Sequence, residues 1–245
     1  MDTYLMMPMA GAGSRFFRDG YECPKPLIEL RGKPFFYWAA MSVVGKIPLA
    51  GIRFVVLREH IERFAIDRRI RDYFPQAEVI ALDHVLRGAV LTCMEGVKGL
   101  PADAPLLFND CDHLFCSEGM GALCRLPQQQ RPDGVLLTFH ATEPKYSFVA
   151  LDAAGNVERT AEKQAISTEA ICGAYYFNRK ELFDRYAARY LQVCRYEEFF
   201  MSGVYNEMIA DGRTVRSLKT QLHVSFGTPE EYTAAECHPF FEGRT

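Results

Sequence analysis

The sequence predicts an α/β fold in which a mainly parallel sheet is flanked by helices, and three observations predict it. Short apolar runs alternate with helix-like segments through the N-terminal half. A string of small residues, with glycines at 11 and 13, directly follows the first apolar run. A later apolar run ends in two aspartates, Asp110 and Asp112. Strand, helix, strand, helix with short links gives parallel strands joined by right-handed crossovers. Ligands in such sheets sit beyond the carboxyl ends of the strands, where these motifs fall.

Composition narrows the class. At 245 residues and 49% apolar content, the chain can bury the core of one α/β domain. A net charge of −3 and a pI near 6.1 argue against a nucleic-acid partner, so an anion site must come from a local cluster of cations. Apolar runs are too short for a membrane span, and the N-terminus lacks the charged start and apolar core of a secretory signal. The eight cysteines are scattered without a C-x-x-C pair. Cys111, His113, Cys116 and Cys124 match no common zinc spacing, so reduced thiols in a cytoplasmic protein are expected.

In chain order, Thr3–Met7 reads as a buried first strand, and Pro34–Val44 as a helix with Phe35, Phe36 and Trp38 on its core face. Ile52–Leu57, apolar apart from Arg53, reads as a buried parallel strand. Arg-rich Glu59–Phe74 reads as one amphipathic surface helix, Ala77–Leu82 as a strand, and Ala89–Val97 as a helix. Further strands are expected at Pro132–His140, Tyr146–Leu151 and Ile171–Phe177, with a tight turn at Ala153–Asn156. Phe199–Ile209 reads as a helix ended by Asp211-Gly212.

The chemistry concentrates in four stretches. Ala10, Gly11, Ala12, Gly13 and Ser14 let backbone N–H groups approach an anion, because little side chain stands in the way. Arg15 adds a donor fork suited to phosphate, and Lys25, stiffened by prolines on both sides, adds a point charge. This reads as a triphosphate cradle. Neither the dinucleotide motif nor the P-loop fits, since Phe16 replaces the third glycine and Pro34 follows Gly32-Lys33. Alternation along an extended strand would put Asp110 and Asp112 on one side, where a cation must neutralise them. Asp110 capping the next turn is the other reading.

Gly-x-Gly-Ser-Arg, a gap, then Pro24-Lys25-Pro26-Leu27 resembles the sugar-phosphate nucleotidyltransferase family. That family has a Rossmann-like fold of the glycosyltransferase-A type, with a mixed, mainly parallel sheet. Met7–Phe16 is most similar to the bacterial capsule-biosynthesis branch, which includes cytidylyltransferases of phosphorylated small molecules other than sugars.

The resemblance implies one domain over 1–245, with a nucleotide half at about 1–130 and an acceptor half at about 131–245. It makes Arg15 and Lys25 catalytic. Leu86–Ala89 corresponds to a second nucleotide loop in which Gly88 lies against the base. Asp83 and His84 stand where many members carry a base-reading glutamine, and Arg87 is either a triphosphate contact or an exposed arginine. Asp112 matches the metal aspartate for Mg2+, and Asp110 an additional ligand or a neighbour of one. In the acceptor half, Glu162 corresponds to the acceptor of hydrogen bonds from hydroxyls or an amine, Lys163 to the holder of the acceptor phosphate, and Gly173 to the space for the acceptor body. The closing motif, Ser225-Phe-Gly227-Thr228, departs from the family, which has a second metal aspartate at the position of Ser225.

The implied reaction is attack of an acceptor phosphate oxygen on the α-phosphorus of a nucleoside triphosphate, with release of pyrophosphate. CTP is the preferred triphosphate, with UTP and dTTP as alternatives. The acceptor is a sugar 1-phosphate or another phosphorylated small molecule. A cytoplasmic role in capsule or surface-polysaccharide biosynthesis, without nucleic-acid or membrane partners, completes the expectation, and it is compatible with a homo-oligomer. Two rivals share the cradle: a metal-dependent glycosyltransferase of the same fold, and a non-catalytic nucleotide-binding protein.

Overall fold

The structure is a computed structural model and describes residues 1–243. From the N-terminus, β1 (Thr3–Pro8) leads through a loop into α1 (Ser14–Arg18) and a 3-10 turn at Lys25–Leu27. A hairpin of β2 (Glu29–Leu30) and β3 (Lys33–Pro34) precedes α2 (Phe35–Met41). Next come β4 (Leu49–Leu57), α3 (Arg58–Phe64), α4 (Ile66–Tyr73), β5 (Glu78–Leu82), α5 (Ala89–Gly96), β6 (Leu106–Asn109), β7 (His113–Cys116) and α6 (Glu118–Arg125). The second half holds β8 (Gly134–His140), β9 (Ser147–Leu151), β10 (Val157–Glu162), β11 (Glu169–Phe177), α7 (Lys180–Val193), α8 (Met201–Ala210), β12 (Val215–Lys219), β13 (Leu222–Ser225) and α9 (Pro229–Glu236).

The main sheet runs β5-β4-β1-β6-β11-β8-β12, with β9 and β10 added at the start of β11. β5, β4, β1 and β6 are parallel, as the alternation of strands and helices predicts, and β12 is parallel to β8. β11 runs antiparallel to both β6 and β8, which makes the sheet mixed. The side-chain period of two divides its core. Met6, Val55, Leu106 and Phe108 face α5, α7 and α8, whereas Leu5, Met7, Phe54 and Leu107 face α2 and α4. A third cluster, with Phe16, Phe35, Phe226 and Phe241, joins the cradle region to β13 and α9.

Two expectations change. Glu59–Phe74 is two helices, because Ala65 adopts a left-handed conformation (φ 49°) that ends α3 and turns the chain so that Ile66 and Ile70 are buried. Asp110 and Asp112 do not lie on one continuous strand. β6 ends at Asn109, and the aspartates occupy the bend before β7. No helix among the described residues is long and apolar enough to cross a membrane.

Candidate active site

The loop after β1 places Ala10–Ser14 along one wall of a cavity of about 460 Å³, opposite Val85–Ala89. Gly13 takes a left-handed conformation (φ 59°) as it enters α1, and a Cβ there would sit 3.4 Å from the Lys25 Cβ. Gly88 (φ 101°) is held by packing as well as by the cavity, since its missing Cβ would lie 2.4 Å from the Phe199 backbone nitrogen. Arg87 borders the same cavity, donates to the carbonyls of Tyr196 and Glu197, and holds its guanidinium 4.6 Å from the Phe199 ring centroid. Asp83 is exposed and ion-paired with Arg58, and does not border this cavity.

At the centre, Lys25 donates from Nζ to Asp112 Oδ2 at 2.7 Å. Burial works against charge on Lys25, but the Asp112 carboxylate outweighs it and holds the ammonium above the ordinary lysine value. Burial equally favours the neutral form of Asp112, yet Lys25 keeps it below the usual carboxylate range. Asp110 goes the other way. Burial first, then the nearby Asp112 and Glu162 charges, push it up to about 7, and Lys25 offsets only part of this. Among the described residues, no hydrogen bond to its carboxylate caps the following turn.

Asp110, Asp112, Glu162 and Gly173 border a second cavity of about 240 Å³. Ser147 and Ser202 both donate to Glu162 Oε2, the latter at 3.0 Å, and the residue is buried. Among the described residues, no donor reaches Glu162 Oε1. Gly173 (φ 90°) is necessary here, because a Cβ would meet Asp110 Oδ2 at 2.9 Å. Lys163 borders a neighbouring cavity, with Nζ 4.8 Å from the Phe200 ring centroid, together with Arg15, Lys25 and Asp112.

Several participants escaped the sequence reading: Ser147, Ser202, Lys145, Tyr146 and above all Glu231. Ser225 donates to Glu231 Oε2 at 2.7 Å, and so does the Gly227 amide at 3.1 Å. Tyr146 donates to Glu231 Oε1 at 2.9 Å, and Lys145 pairs with the same oxygen at 2.7 Å. The local signal was Thr228-x-x-Glu231, a capping box: Thr228 Oγ1 accepts from the Glu231 amide at 3.2 Å and starts α9.

The donor set suits a hard divalent cation. Asp112 and Asp110 open on shared cavities, and the like-charge stress on Asp110 is what a cation would relieve. Gly227 leaves open the space beside Asp112 Oδ2, where a Cβ would stand at 2.6 Å. Among the described residues no three His, Cys, Asp or Glu side chains gather to hold a metal alone. One or two carboxylates completed by phosphate oxygens and water is the usual Mg2+ pattern.

Comparison with known proteins agrees with this fold. Residues 7–238 match the Nucleotidyl transferase family. The nucleoside-diphosphate-sugar pyrophosphorylase of Vibrio cholerae RC9 superimposes with a TM-score of 0.82 at 25% identity, over 96% of this chain and 100% of that one. The inositol-1-phosphate CTP transferase of T. maritima shares the fold, with a TM-score of 0.77 at 14% identity, over 99% and 97% of the two chains. No curated protein matches the sequence. With the family match spanning nearly its whole length, the chain belongs to the nucleotidyl transferase family.

Proposed function

We propose that the chain transfers a nucleoside monophosphate, preferentially from CTP, to a phosphorylated small molecule and releases pyrophosphate. The observation that carries this reading is the meeting of Lys25 and Asp112 between the cradle and the acceptor cavity. The acceptor phosphate, with a second pKa of about 6, is already largely dianionic at neutral pH, so the reaction needs no enzyme nucleophile and no general base. What the protein must supply is alignment and charge neutralisation.

In this reading the loop amides of Ala10–Ser14 and the Arg15 guanidinium cradle the β- and γ-phosphates. Lys25 shifts from Asp112 toward the α-phosphate, whose charge grows as the acceptor oxygen attacks. Asp112, with Asp110, holds Mg2+, which when bound neutralises phosphate charge. Gly88 borders the base, Gly173 leaves room for the acceptor body, Glu162 receives its hydroxyls or amine through Oε1, and Lys163 meets its phosphate. A cytoplasmic role in capsule or surface-polysaccharide synthesis follows from the sequence resemblance. The test is the identity of the released group. Pyrophosphate appearing only when triphosphate and acceptor are both present supports the reading, and a nucleoside diphosphate leaving a nucleotide-sugar donor would assign glycosyl transfer.

A further inference from the structure

We propose that Lys145 is a further anion-binding residue of the acceptor cavity and receives the acceptor's phosphate beside Lys163. The proposal rests on the nucleotidyl-transfer reading above. The cations bordering the acceptor cavity are Arg15 and Lys145. Lys163 borders only the neighbouring central cavity, whereas Lys145 borders both. An acceptor phosphate must lie at that junction to reach the α-phosphorus, and Lys145 is a cation already there.

The surrounding contacts hold Lys145 in place and leave it free to change partner. It lies in the link between β8 and β9, and Glu231 of α9 grips it at 2.7 Å while also taking the Tyr146 hydroxyl at 2.9 Å. The ammonium sits 4.9 Å from the Tyr146 ring centroid. Glu231 keeps the donors Tyr146, Ser225 and the Gly227 amide when Lys145 turns to an anion. Glu231, 14% exposed, then gives up its ion pair and stays solvated by those three neutral donors. The Lys145 side chain is 46% exposed, so solvent screens the existing pair and keeps it replaceable.

The experiment is calorimetric titration of the full chain with two probes, first a non-hydrolysable α,β-methylene CTP, then inorganic phosphate with that nucleotide saturating. Wild type, Lys145→Met and Lys145→Arg are compared. Lys145→Met is expected to weaken phosphate binding about tenfold, the loss of one charge-assisted contact, with nucleotide affinity unchanged. Lys145→Arg is expected to retain most of the phosphate affinity. Equal phosphate affinity in wild type and Lys145→Met overturns the proposal while the nucleotidyl-transfer reading stands. So does a parallel loss of both ligands in Lys145→Met, which would mark a structural role. A wild type that binds no nucleotide overturns the underlying reading, and the proposal with it.

Discussion

Lys25 Nζ lies 2.7 Å from Asp112 Oδ2, joining the turn that follows the cradle to the bend that follows β6. In the free protein, therefore, the ammonium occupies an oxygen on which a divalent cation would depend. Lys25→Met is expected to tighten Mn2+ binding to the nucleotide-free protein, because the competing charge is gone. The same variant is expected to lower kcat by about 10²–10³-fold, as loss of one preorganised stabiliser does. Electron paramagnetic resonance titration of Mn2+ checks the first effect and steady-state kinetics the second. Weaker Mn2+ binding would show that Lys25 orders Asp112 and does not compete for it.

Asp110 links stability to pH. Its folded-state value of about 7 lies above the ordinary 3.8, so between these values the folded protein holds a proton that the unfolded chain releases. The residue is neutral to stability below the ordinary carboxylate range, and its destabilising effect grows as pH rises to 7. Asp110→Asn in metal-free buffer is expected to raise Tm by several °C near pH 8, and by about a quarter as much near pH 4.5. A Tm gain independent of pH, followed by calorimetry, would contradict the assignment.

Two glycines separate packing from chemistry. At Gly88 a Cβ would stand 2.4 Å from the Phe199 backbone nitrogen, in a conformation (φ 101°) that side chains resist. Gly88→Ala is expected to cost about 3 kcal/mol and lower Tm by roughly 6–12 °C. At Gly227 the Cβ would meet Asp112 Oδ2 at 2.6 Å, a side-chain oxygen that can swing aside. Gly227→Ala should keep Tm within about 2 °C of wild type but reduce turnover at least about tenfold. Thermal melts and turnover measured on the same preparations separate the two effects.

Ser202 and Ser147 fix one oxygen of Glu162, which the proposal gives to the acceptor. Ser202→Ala is expected to raise the acceptor KM about fivefold, with the KM for triphosphate unchanged. Equal change in both constants would place Ser202 in general packing.

The sequence made the sheet legible because its central strands carry apolar runs, such as Phe54–Leu57, whose alternate residues enter two cores. It made the small-residue loop after β1 and the pair of aspartates after β6 legible, because both are local in the chain, but it read the aspartates as extended strand and missed the bend that carries them. Glu231 and Ser202 were not legible. Each acts on a side chain 40 or more positions away, Ser202 on Glu162 and Glu231 on Tyr146, and the Thr228-x-x-Glu231 pattern marks the start of α9 but not that contact. The break at Ala65 was hidden too, since alanine favours helix and only the burial of Ile66 and Ile70 accounts for the turn.

The central claim is tested most directly by pyrophosphate release with Mg2+, using CTP, UTP, dTTP and ATP against sugar 1-phosphates and other phosphorylated small molecules, with Asp112→Asn alongside. The account predicts release with one triphosphate–acceptor pairing, strongest with CTP, and its loss in the variant. Pyrophosphate released equally well by Asp112→Asn would contradict it.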